Sequence, residues 1–143
     1  MRIVTTAVAV LAVAATAALA AAPKDGTYTG TTAQATSVKV KVSKKGTQAT
    51  ASARFTATCG DGTSITDSAK GPSAIKKGRF KVVGGGSQGQ QGVEIDKAYV
   101  IAGHFTSSKT VKGTVDADYQ KFDANGNKTG ECKTGKLAFT ATR

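Results

Sequence analysis

Alternation is the feature that most limits what this chain can become. Val38, Val40 and Val42 are separated by Lys39 and Lys41, and Ala49, Ala51, Ala53, Phe55, Ala57 and Cys59 keep the same step. Successive side chains of a β-strand point to opposite faces, so the pattern gives one dry face and one wet face. A helix would need its apolar residues three and four apart. No stretch after residue 22 keeps that spacing, while Thr and Val, which suit a pleated surface, recur throughout.

Turn residues cut the pattern into strands. Ser43-Lys44-Lys45-Gly46, Cys59-Gly60-Asp61-Gly62, Lys76-Lys77-Gly78 and Asp123-Ala124-Asn125-Gly126-Asn127 all read as turns. Asn125-Gly126 carries the strongest signal, because that pair supplies the positive φ angles of a tight hairpin. Gly71-Pro72 is expected to stop a weak strand begun at Thr63. Gly84 to Gly92 has almost no side chain to bury and reads as a flexible loop. Thr134-Gly135 reads as a bulge before a last strand that carries Leu137, Phe139 and Ala141. About eight or nine short strands, with turns roughly every 8–12 residues, predict an all-β antiparallel sandwich or barrel.

The start of the chain bears on its compartment. Met1-Arg2 is followed by an uncharged, Ala- and Val-rich run from Ile3 to Leu19, which ends in the small residues Ala18-Leu19-Ala20. This predicts a cleaved signal peptide over residues 1–20 and a single all-β domain over 21–143, secreted or associated with the cell envelope. Thr5, Thr6 and Thr16 weaken the run as an anchor and no Lys/Arg cluster follows it, so no membrane span is expected after cleavage. In an oxidising compartment the two cysteines, Cys59 and Cys132, are expected to pair. With no Trp, five Phe and three Tyr, the core is poor in aromatics. A bridge closing so long a loop contributes about 4 kcal/mol by loop-closure entropy.

An early Gly26-x-Tyr28-x-Gly30, the Val38-x-Val40 strand, Phe55-x-x-x-Cys59, Ile75-x-x-Gly78-x-Phe80, a late Lys112-Gly113-Thr114 and then Cys132 follow one another in that order. This arrangement resembles small secreted all-β bacterial proteins of unassigned activity. The resemblance implies the fold and the disulfide and carries no functional residue. Within the chain, Ile101-x-Gly103-x-Phe105 echoes Ile75-x-x-Gly78-x-Phe80. The echo reads as glycines that start strands and aromatics that plug the core.

Catalytic chemistry finds little to work with. His104 is the single histidine, and no Gly-x-Ser-x-Gly elbow accompanies it. Asp116 and Asp118 share a strand face about 7 Å apart, a separation that glycoside hydrolysis can use, yet they read first as acids balancing nearby lysines. Asp123, Asn125 and Asn127 begin like a calcium loop, but Lys128 stands where the turn needs Gly and Thr134 where a bidentate Glu is required. No CxxC or Cys/His cluster exists, so neither metal nor cofactor is expected.

Charge is the one functional lead. Twenty Lys and Arg against nine Asp and Glu give a net +11. The densest basic group is Lys39, Lys41, Lys44, Lys45, Lys76, Lys77, Arg79 and Lys81, a candidate anion-binding set. Lysine lacks arginine's planar fork, which argues against base-specific nucleic-acid reading. The expected role is a non-enzymatic extracellular or envelope-associated binding module for an anionic cell-surface polymer or acidic glycan. The alternative is a small extracellular hydrolase with an unrecognised site. Convergence of the basic residues on one face favours binding; scatter leaves them as solubilising charge that protects sheet edges.

Overall fold

A computed structural model describes residues 22–143. The signal peptide expected over 1–20 lies outside the described residues. Nine antiparallel strands follow in order: β1 (Gly26–Thr32), β2 (Ser37–Ser43), β3 (Gln48–Cys59), β4 (Ser64–Ala74), β5 (Arg79–Gln90), β6 (Val93–Ser107), β7 (Thr110–Phe122), β8 (Lys128–Lys133) and β9 (Leu137–Thr142). They form one sheet in the order β4-β3-β2-β1-β9-β7-β6-β5, with β8 pairing both β3 and β7. Among the described residues no helix is long and apolar enough to cross a membrane.

The position of β8 turns part of the sheet into a closed circuit. On one edge β3 pairs β2 over Gln48–Ala53 and then β8 at Thr58 and Cys59. On the matching edge β7 pairs β9 over Thr110–Val115 and then β8 over Asp118–Phe122. Thus β3 and β7 diverge where β2, β1 and β9 lie between them and converge where β8 alone does. Cys59 and Cys132 are register partners across β3 and β8 and form the expected disulfide. Inside sit the alternating residues read from the sequence: Val38, Val40, Val42, Ala49, Ala51, Phe55, Val111, Val115 and Ala141 are all buried. The echoed aromatics meet there, with Tyr28 and Phe80 flanking Phe105 at ring distances of 5.3 and 6.1 Å.

Four sequence expectations need correction. Gly84–Gln90 is not a loop but the second half of β5, paired residue for residue with β6. The hairpin there turns tightly at Gln91-Gly92, where both residues have positive φ (52° and 76°), as they do at Lys77-Gly78 (50° and 69°). At Asn125-Gly126 only the glycine does, inside a longer loop. Nor does Gly71-Pro72 stop a strand, since both lie within β4 and pair with β3. Its edge position explains the tolerance. Ser68 and Lys70 turn their carbonyls away from β3, and Pro72, two residues further, turns its missing N–H the same way. Thr134-Gly135, read as a bulge, lies in the connection from β8 to β9.

The two edges, β4 and β5, face each other, and side chains do the work of a ladder between them. Lys97 and Tyr99 of β6 sit opposite Gly86 and Gly84. A Cβ on Gly84 would stand 2.4 Å from the Tyr99 ring, so bare glycine is what lets the ring pass over β5. Tyr99 Oη then donates to the Lys70 carbonyl (2.8 Å), and Lys97 Nζ donates to the Ser68 carbonyl and to Asp67 Oδ2 (both 2.7 Å). Tyr119 Oη donates to the same Asp67 oxygen, and the ammonium lies over the rings of Phe55, Tyr99 and Tyr119 at 5.2–5.9 Å. Burial alone raises the Asp67 pKa, but the hydrogen bonds from Lys97 and Tyr119 outweigh it and hold the carboxyl below its ordinary value. Burial and the Asp67 charge push the Tyr119 phenol up.

Candidate anion-binding groove

Three adjacent strands place one basic side chain each in a single row. Arg79 on β5 is the register partner of His104 on β6, and His104 of Lys112 on β7. Cross-strand partners share a face, and all three are exposed, so the row lies on the outside of the sheet. The next row, Phe80, Gly103, Gly113 and Phe139, points inward. A Cβ on Gly103 or Gly113 would stand 2.7 Å from the Phe80 or Phe139 ring. These glycines therefore make room for aromatic plugs; Gly103 does not start its strand, as the sequence reading held.

The third row, Lys81, Ala102, Thr114 and Ala138, faces out again. Short side chains form its floor, and Arg79, His104, Lys112 and Lys81 rise around it. Lys76 joins from the β4–β5 turn, and Ser73 and Thr140 add hydroxyls. The result is an open outer groove of about 840 Å³ in which no lining residue is acidic. The ion pairs among the described residues are Lys97–Asp67, Lys128–Glu131, Lys133–Asp118 and Lys133–Glu131, and none involves a groove cation.

The eight basic residues singled out in the sequence divide. Lys76, Arg79 and Lys81 meet in the groove. Lys39 lines a second depression on the outer face of β1–β4, and Lys41 is exposed on β2. Lys44 and Lys45 lie in the β2–β3 turn, where Asp25 accepts hydrogen bonds from the N–H groups of Lys45 and Gly46 (3.1 and 2.7 Å). Lys77 is exposed in the β4–β5 turn. Sequence spacing missed Lys112 and gave His104 no part in the basic set. Both stand at outward positions of alternating strands, but only strand register shows that they flank Arg79.

Acidic residues gather elsewhere. Glu94, Asp96, Asp116, Asp118, Asp123 and Glu131 occupy the start of β6, the later half of β7, its loop and β8. Burial pushes the Asp118 carboxyl up and the neighbouring Glu131 adds to the effect; its Oδ1 is buried without a hydrogen-bond partner. Lys133 reaches it only at 4.0 Å. Neither Asp116 nor Asp118 lines the groove, and without a carboxylate in it His104 has no acid to orient it as a catalytic base. Asp123 is turned into its own loop. Its Oδ1 accepts from the N–H groups of Asn125 and Asn127 and its Oδ2 from the Asn127 amide, which lowers its pKa through the Asn127 bonds first. Those oxygens are thus taken by the turn, and no group of three or more metal-ligating side chains forms among the described residues.

No family model matches the chain, and no curated protein or solved structure matches it either.

Proposed function

We propose that this is an exported, non-enzymatic binding module whose outer groove holds an anionic polymer of the cell surface or an acidic glycan. The observation that carries the reading is the row Arg79–His104–Lys112. Arg79 and Lys112 flank one imidazole on neighbouring strands, with Lys81 beside them and no carboxylate among the lining residues. Arg79 and Lys112 lie one strand to either side of His104, and Lys81 stands two residues beyond Arg79 on the same face, so like charge accumulates on this sheet face at a cost in stability. Charge serving solubility alone would be interleaved with acids, which this chain carries but places elsewhere. An arrangement that sacrifices folding energy locally is expected at a functional site. Lysine-rich grooves attract polyanions over a distance and release them as salt rises.

Export rests on the signal-peptide pattern at residues 1–20, and a disulfide-bonded all-β domain is compatible with an extracellular location. N-terminal sequencing of the secreted protein is expected to begin at Ala21; retention of Met1 refutes cleavage.

Chromatography on immobilised heparin tests the binding role. The parent protein is expected to be retained at low salt and eluted by a gradient. The Arg79→Glu/Lys112→Glu double variant is expected to elute at markedly lower salt than the parent, with an unchanged melting temperature, since both side chains are exposed. Equal retention of parent and variant, or no retention of the parent, removes the groove as a polyanion site.

A further inference from the structure

The groove's row does not stop at Lys112. Its register continues to Thr140 on β9, Thr31 on β1 and Ser37 on β2. On β3 the next outward residue is Arg54, whose partner on β4 is Ser68. One row over, Thr142, Thr29, Lys39, Ser52 and Lys70 are successive partners from β9 to β4. Lys39, Arg54 and Lys70 together line the second outer depression, of about 490 Å³, again without a carboxylate. Between the two basic clusters lie only hydroxyl side chains, short enough to leave the way open. By way of β9, around the outside of the closed sheet, the band from β5 to β3 crosses six strand spacings, a curved path of about 29 Å at roughly 4.8 Å each.

We infer that the two clusters are the ends of one track, and that its ligand is a linear phosphodiester polymer lying across the strands and held by its phosphates. The inference rests on the anion-binding reading above and names its substrate class. Three features point to phosphate. Arg, Lys, Ser and Thr are among the side chains that bond phosphate oxygens, and the band is built of them. No acid interrupts it, so each anionic repeat meets a cation or a hydroxyl. No aromatic ring is exposed along it, since Tyr28, Phe55, Phe80, Phe105 and Phe139 are all buried. Bases would therefore have nothing to stack on, and the polymer is gripped by its backbone without regard to what that backbone carries.

Length-defined probes test this by fluorescence anisotropy. Oligothymidylates of four and twelve nucleotides carry three and eleven phosphodiesters; even at the duplex rise of 3.4 Å per nucleotide the twelve-mer covers about 41 Å, and an unstacked strand covers more, so the twelve-mer can fill both clusters while the four-mer has too few phosphates to do so. The twelve-mer is expected to bind about a hundredfold tighter, beyond what its extra registers supply. Its log–log salt dependence should be steeper by about two, the share of three further phosphate contacts. Lys39→Glu/Arg54→Glu, on exposed side chains, should bring the twelve-mer down to the four-mer's affinity and leave the four-mer unaffected. An abasic twelve-mer should match the thymidylate. Competition by poly(glycerol phosphate) would identify a surface polymer as the natural source, and its failure to compete a nucleic-acid backbone. Equal affinities for both lengths, with the Lys39/Arg54 variant silent, overturn the track and leave the groove standing. Loss of binding with the bases overturns backbone reading, and retention on heparin without binding to any phosphodiester overturns the substrate class. Failure to bind any polyanion instead removes the parent reading.

Discussion

At the scale of single residues, two half-exposed aspartates are set in opposite directions. Asp67 is held below its ordinary pKa, because Lys97 and Tyr119 donate to it more strongly than burial opposes. Its carboxylate therefore adds stability that is present above the unfolded value near pH 3.9 and lost as pH falls through the lower folded value. Asp67→Asn is expected to destabilise by about 1 kcal/mol at pH 7, a figure discounted for solvent screening. The gap to the parent should close below about pH 4; a gap that stays constant down to pH 3 in thermal melts counts against the ion pair. Asp118 is the reverse. Its folded pKa is raised, so its protonated form is favoured: the stability it gives is present below the unfolded value and lost as pH rises through the folded one. Asp118→Asn removes a charge that burial disfavours and Glu131 repels, and gives the buried Oδ1 position an amide. A gain of about 0.5 kcal/mol at neutral pH, vanishing in acid, is expected; a loss at pH 7 shows that Lys133 outweighs Glu131.

At the scale of elements, the strand least legible in the sequence is β5, across which the seam with β4 is sealed. The Gly84–Gly92 run looks like a loop because a strand announces itself through the side chains it buries, and here the bare positions are the point. Gly84 is bare so that the Tyr99 ring of β6 can cross β5 and reach the Lys70 carbonyl on β4. Gly84→Val should force Tyr99 off the Lys70 carbonyl and cost about 2 kcal/mol, as overpacking does. Gly89→Ala meets open space at a strand φ and should be neutral or stabilise by roughly 0.5 kcal/mol. Similar melting temperatures for the two variants mean that the seam does not depend on the glycine. The strands that were legible, β2, β3 and β9, each alternate large or aliphatic residues with polar ones and lie inside the closed circuit. The groove was half legible for a related reason. Lys76, Arg79 and Lys81 cluster in sequence, whereas His104 and Lys112 join them through pairing between strands, and spacing along one chain carries no register between strands.

At the scale of the whole molecule, one short strand and one covalent bond complete the circuit. β8 has six residues and joins β3 to β7 where the sheet narrows, and the Cys59–Cys132 bridge ties its register to β3. The core it encloses is built largely of Val and Ala, with few large side chains to resist opening. The bond spans 73 residues, so loop-closure entropy assigns it about 4 kcal/mol. Near the size of this domain that corresponds to roughly 15 °C in melting temperature. Reduction, or the Cys59→Ala/Cys132→Ala pair, is therefore expected to lower the melting temperature by about that amount. It should also release amide protection first in β8 and at Thr58 and Cys59, before the β1–β2 and β2–β3 ladders. The Arg79–His104–Lys112 row lies on ladders β5–β6 and β6–β7, away from the bridge. Heparin retention at a temperature where the reduced protein stays folded should therefore survive. Reduction that abolishes retention while β6 and β7 keep their amide protection refutes the separation of closure from binding; uniform loss of protection across all strands refutes β8 as the place where the circuit opens.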